Sequence, residues 1–178
     1  KEINENTLTI KNTIAEYLKD DKISFDLELN DDDILRIKHI HIIACGTAMH
    51  AGLNGKNVIE NLTRIPVTVE VASEFRYKNP ILDSDDLAIF ISQSGETADT
   101  IASIELVKER NIKFLSIVNV KESTIDRMSD NVIYTKAGPE IAVASTKAYV
   151  AQVCAIDLFA IYMARLLKKV DENYLNEL

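Results

Sequence analysis

In Leu87-Ala88-Ile89-Phe90-Ile91-Ser92-Gln93-Ser94-Gly95-Glu96-Thr97-Ala98-Asp99-Thr100 an apolar run gives way to a hydroxyl-rich turn. An unbroken apolar run from Leu87 to Ile91, without polar alternation, suits a strand covered on both faces. The hydroxyl-rich turn after it passes the chain to a helix read from Ala98 to Arg110. A strand that ends in a turn and feeds a helix leaves unpaired amide N–H groups at its carboxyl end, where they attract an anion. Ser92, Ser94 and Thr97 add hydroxyl donors, and Gly95, lacking a Cβ, allows a close backbone approach. The plainer role for Ser94 or Thr97 is to cap the helix, with Glu96 and Asp99 contributing favourable charge near its first turn.

The same pattern repeats on either side. His39 to Ala44 is an apolar run followed by a helix from Ala48 to Leu62, and Val67 to Val71 is a second strand rich in β-branched residues. Beyond this stretch, Phe114 to Val118 and Val132 to Thr135 read as strands, with helices at Thr124 to Met128 and Ser145 to Lys169. Buried strands separated by helices predict an α/β three-layer sandwich: a single domain with a five-stranded, mostly parallel sheet of flavodoxin-like topology. No Asn-Gly or Asp-Gly pair joins neighbouring strands, so hairpins are not expected. Residues 1–38 read as an N-terminal helical appendage and connection, with an Asn30-Asp31-Asp32-Asp33 cap before Ile34. Residues 39–170 form the expected domain, and 171–178 a tail or linker.

Composition narrows the function. The 178 residues are 47% hydrophobic and 27% charged, with five Gly and three Pro, which excludes a disordered or fibrous chain. A formal net charge of -8 disfavours nucleic acid, yet aligned amides can still hold a small anion at short range. The apolar stretch from Ala148 to Leu167 is broken by Gln152, Asp157 and Arg165, which reads as a buried core helix and not as a membrane span. No secretory pattern opens the chain, and Cys45 and Cys154, far apart in apolar surroundings, read as free thiols of a cytoplasmic protein. The opening at Lys1 and helical signals almost to Leu178 read as a piece cut from a longer protein.

Two further loops occupy equivalent positions. Cys45-Gly46-Thr47-Ala48 follows the first strand of the domain, where Gly46 permits close approach and Thr47 offers a hydroxyl. No base partners Cys45 by spacing, so it is not read as a nucleophile. Ala137 to Lys147 precedes the last long helix: Gly138-Pro139 fixes a turn, Ser145 or Thr146 suits an N-cap, and the backbone at Val143 with the Ser145 hydroxyl suits a sugar. Glu140 reads as either a base or the ion-pair partner of Lys147. His39 and His41 share one face of a strand, but no third ligand stands at metal spacing along the chain, so neither metal nor cofactor is expected. Neither G-x-x-x-x-G-K-S/T nor G-x-G-x-x-G occurs, which removes ATP and dinucleotide cradles.

Taken together, Ala44-Cys45-Gly46-Thr47, Glu70-Val71-Ala72-Ser73-Glu74-Phe75-Arg76-Tyr77, Ser92 to Thr100 and Val143-Ala144-Ser145-Thr146-Lys147-Ala148 resemble the sugar isomerase (SIS) domains of the glutamine–fructose-6-phosphate aminotransferase family. The resemblance covers about residues 39–168. It implies the first of two tandem SIS domains, which with a glutaminase domain make glucosamine 6-phosphate from fructose 6-phosphate and glutamine-derived ammonia, in a homodimer. It further implies that Ser92, Gln93, Ser94 and Thr97 bind the phosphate, with help from Thr47, that Val143 and Ser145 contact the sugar, and that Gly46, Gly95, Glu140 and Lys147 support them. Ala48 stands where many members have Ser, which removes one hydroxyl. The family's base and ring-opening residues lie in segments this chain lacks, so it is expected to hold substrate without turning it over. A phosphosugar-sensing regulatory module and a single-domain phosphosugar isomerase are the other readings.

Overall fold

A computed structural model of the chain describes residues 2–140 and 145–178. A single turn of 3-10 helix (Glu2–Glu5) leads into α1 (Asn6–Tyr17), a small hairpin of β1 (Leu18–Lys19) and β2 (Lys22–Ile23), and α2 (Asp31–Arg36). The domain continues through β3 (His39–Ala44), α3 (Gly46–Thr63), β4 (Val67–Val71), α4 (Ala72–Phe75), β5 (Asp86–Ser92) and α5 (Ala98–Glu109). It ends with β6 (Lys113–Val118), α6 (Thr124–Met128), β7 (Val132–Tyr134), α7 (Lys147–Leu167) and α8 (Glu172–Glu177).

The main sheet has the order β4-β3-β5-β6-β7, and every pairing in it is parallel. From β3 the chain winds outward to β4, then crosses back to β5 and winds the other way. The reversal makes β3 and β5 the neighbours whose following loops diverge, the switch point at which open α/β sheets bind ligands. The expected α/β sandwich with flavodoxin-like order is therefore present.

Alternation along the strands builds two cores. Ile40, Ile42, Leu87, Ile89, Ile91, Leu115 and Ile117 face Ile59 of α3 and Ile156, Phe159 and Met163 of α7. Ile43, Ala88, Phe90, Phe114 and Val118 face Phe75 of α4, Ile104 and Val107 of α5 and Ile125 of α6. A Cβ on Gly55 would run into Ile156, so α3 and α7 approach more closely than a side chain there would permit. By length and apolar content α7 passes for a membrane span, but Ala151, Ala155, Ile156, Phe159 and Met163 are buried within the molecule.

The N-terminal segment is pinned to this body. Tyr17 Oη accepts from Tyr134 N at 2.6 Å and donates to Tyr134 O at 3.0 Å, tying α1 to the edge strand β7. α2 starts in a reciprocal cap, Asn30 Oδ1 accepting from Asp33 N at 3.0 Å and Asp33 Oδ2 accepting from Asn30 N at 3.3 Å. The β1–β2 hairpin corrects one expectation. Its turn is Asp20-Asp21, with φ of 50° and 57°, a left-handed conformation that Asp tolerates without glycine.

Candidate functional site

The switch point sets two helix N-termini side by side. Cys45 and Thr97 occupy the N-cap positions of α3 and α5, and neither side chain accepts from the first-turn amides of its helix. Both helices thus present uncapped N–H groups, and a partial positive charge, beyond the carboxyl ends of β3 and β5. Thr47 is exposed in the first turn of α3.

The loop after β5 is held from within. Ser92 is buried; its Oγ accepts from Gly95 N at 3.0 Å and lies 2.9 Å from Thr97 Oγ1. The Thr97 hydroxyl is therefore paired with Ser92 and does not cap its helix. Ser94, exposed, accepts from Glu96 N at 3.2 Å. Gln93 Oε1 is buried without a hydrogen-bond partner among the described residues, an unmet acceptor in the same loop. Gly95 has φ of 67°, and a Cβ there would collide with Ser123. Glycine is needed at this position for both reasons.

α6 supports the loop from behind, which the sequence reading missed. Ile125 N donates to Gly95 O at 2.9 Å, and Glu96 Oε1 accepts from Thr124 N at 2.7 Å. The contacts to Thr124 hold the Glu96 carboxyl below its ordinary value. The adjoining helix is fixed as well: Arg76 Nη1 lies 2.9 Å from Asp99 Oδ1, and Ser103 Oγ donates to Asp99 O at 2.7 Å and Ala72 O at 3.2 Å. A Ser123 at the start of a short helix carried no signal of this contact, because its spacing from Gly95 depends on sheet order.

The third segment is arranged differently from the expectation. Glu140 takes the N-terminus of α7: its carboxylate accepts from Thr146 N at 2.8 Å, Ser145 Oγ at 3.0 Å, Thr146 Oγ1 at 3.3 Å and Ala148 N at 3.3 Å. Burial raises its pKa, but these donors outweigh burial and hold the carboxyl below its ordinary range. Lys147 does not pair with Glu140; its buried Nζ lies 2.6 Å from Glu5 Oε2. The helical turn carries Lys147 away from Glu140 toward the N-terminal segment. Val143 lies outside the described residues.

The remaining candidates separate by chemistry. Cys45 is half-buried, and burial beside Asp157 raises the Cys154 thiol to about 11, well away from reactivity. A carboxylate does accompany the two histidines. Parallel pairing sets Asp86 of β5 opposite His39 of β3, and one ligand atom from each of His39, His41 and Asp86 falls within 4.8 Å of the others.

Known proteins resemble the chain in sequence and in fold. The family described as SIS domain matches residues 33–162. Glutamine–fructose-6-phosphate aminotransferase (isomerizing) of Clostridium tetani is 49% identical over 181 residues, covering 100% of this chain and 30% of the relative. The protein of that name from Caldanaerobacter subterraneus is 51% identical over 166 residues, covering 92% of this chain and 27% of its own length. The chain therefore spans about 30% of the length of the relatives it matches. Among solved structures, the C-terminal domain of glucosamine-fructose-6-phosphate aminotransferase from Francisella tularensis superposes with a TM-score of 0.94 at 40% identity, over 99% of this chain and 50% of that one. The match takes in all five strands of the main sheet and the turns beyond β3 and β5, and on it the chain belongs to the SIS domain family.

Proposed function

We propose that this chain is the first of two tandem SIS domains in a glutamine–fructose-6-phosphate aminotransferase, and that it holds the phosphate of fructose 6-phosphate or glucosamine 6-phosphate. The carrying observation is the loop Ser92–Thr97, locked by Ser92 at the switch point between two uncapped helix N-termini. If Ser92 Oγ–H donates to Thr97 Oγ1, the Thr97 proton is left to donate to a phosphate oxygen. Amides at the starts of α3 and α5, with Ser94 and Thr47, supply further donors.

The sugar then extends toward Val143 and Ser145. Glu140 supports this orientation, because a carboxylate already seated at the start of α7 repels a second anion there and leaves the starts of α3 and α5 as its place. With four donors on it, the Glu140 carboxylate is a weak base, so in this reading proton transfer comes from elsewhere in the full-length enzyme. The reading includes a glutaminase domain and a second SIS domain as partners, a homodimer, a cytoplasmic location, and no cofactor.

Amide NMR of the labelled chain tests the assignment. Titration with fructose 6-phosphate or glucosamine 6-phosphate is expected to shift Gly46 to Ala48 and Ser94 to Asp99, while unphosphorylated fructose leaves them in place. Equal shifts with the neutral sugar would remove the reading.

A further inference from the structure

At the opposite end of β3 and β5 from the anion loops is a polar cluster that the phosphosugar reading does not use. His39 and Asp86 are the first residues of their strands and are register partners, and His41 projects from the same face. His41 is 5% exposed and Asp86 7% exposed. Among the described residues neither buried ring nitrogen of His41 makes a hydrogen bond of good geometry, although each faces a carboxylate. A buried imidazole held only by such long contacts keeps part of its desolvation cost, which an ion between ring and carboxylate would offset.

The surrounding distances suit a cation. His41 Nε2 lies 3.4 Å from Asp86 Oδ2, a long contact and close to the separation of about 3.3 Å between two ligands of a tetrahedral ion bonded at about 2.0–2.1 Å. Its other nitrogen, Nδ1, faces Glu70 Oε1 at 3.5 Å. A carboxylate behind a ligating histidine is the usual outer contact that orients the ring. Glu70 is itself paired with Lys78, whereas Asp86 Oδ2 accepts only from the uncharged Asp83 N, at 2.8 Å, and keeps a lone pair for an ion. His39 Nε2 is 2.8 Å from Thr68 Oγ1, so its ring is likewise oriented from behind with Nδ1 left over, and the two imidazoles stack at 4.4 Å.

We propose that His39, His41 and Asp86 bind one divalent first-row transition ion, zinc foremost, with Thr68 and Glu70 orienting the two rings. The ion ties the starts of β3 and β5 together and acts structurally. Two neutral imidazoles and a carboxylate are the donor set zinc prefers, and the ring-against-Asp86 geometry is unsuited to a hard six-coordinate ion such as magnesium.

The test uses tag-free chain stripped with a chelator and titrated with zinc, cobalt or magnesium. One equivalent of zinc is expected to remain after gel filtration and to raise the melting temperature; cobalt is expected to give the visible absorption of a tetrahedral site, and magnesium to do neither. His41→Gln and Asp86→Asn are expected to weaken zinc binding by more than about tenfold, and Thr68→Val by about tenfold. His39→Gln, at a half-exposed position, serves as the ligand variant if either buried substitution prevents folding. His50→Gln, on an exposed residue of α3, is expected to bind zinc as the parent does. Failure of the parent chain to retain zinc, or equal binding by the parent and His39→Gln, would overturn the proposal. Neither result bears on phosphosugar binding at the other end of the strands.

Discussion

The carboxylate of Glu140 accepts a hydrogen bond from the backbone amide of Thr146 at 2.8 Å, so the longest helix of the domain begins on a negative charge supplied by its own connection. α5, by contrast, begins with no side chain on its amides. On the proposed reading, this difference leaves the start of α5 open to an incoming anion and the start of α7 closed to it.

Replacing Glu140 by Gln is expected to destabilise the chain by about 1 kcal/mol at neutral pH, through loss of charge at the start of α7 and of acceptor strength. The folded carboxyl lies below its ordinary value of 4.5, so its stabilisation is full above that pH and declines as pH falls through the folded pKa. Urea denaturation of parent and Glu140→Gln should therefore differ at pH 7 and converge on acidification.

Ser92→Ala leaves Gly95 N without its acceptor and frees the Thr97 hydroxyl to turn. A loss of about 1–3 kcal/mol in stability is expected, with fructose 6-phosphate affinity reduced by about tenfold or more. Calorimetry on a variant shown to be folded checks the second effect. Full retention of affinity would mean that Ser92 does not order the phosphate loop.

Gly95→Ala forces an L side chain into a positive φ and against Ser123. The expected cost is about 1–3 kcal/mol, accompanied by weaker phosphosugar binding, because the loop must move off α6. Thermal melts and the same calorimetric titration measure both.

Burial alone raises the pKa of Asp157, on α7, to about 6, and its Oδ1 has no hydrogen-bond partner among the described residues. The folded state thus holds a proton that the unfolded state has released, and stability falls as pH rises from about 4 to about 6. Asp157→Asn is expected to stabilise the isolated chain at pH 7 by about 1–2 kcal/mol, discounted for partial exposure, and to have little effect at pH 4. Denaturation at the two pH values tests the sign.

Local order made much of this fold readable. β5 is buried throughout and appears from Leu87 to Ile91 as an unbroken apolar run, β3 as a shorter run interrupted by His41, and the Ser92–Thr97 contact spans only five residues. What was hidden depends on sheet order or long separations. Asp86 meets His39 only through parallel register, Lys147 finds Glu5 across 142 positions, and Tyr17 finds Tyr134 across 117. The β1–β2 hairpin escaped for a local reason, since Asp20-Asp21 takes the left-handed turn usually signalled by glycine.

On the proposed reading, the uncapped starts of α3 and α5 and the locked serine loop grip a phosphate. The decisive measurement is a pair of dissociation constants of the folded chain, for fructose 6-phosphate and for fructose, compared by calorimetry in phosphate-free buffer. The phosphorylated sugar is expected to bind about 100-fold or more tightly, a difference of about 2.7 kcal/mol. Equal affinity for the two sugars would rule out a phosphate grip at these helix starts.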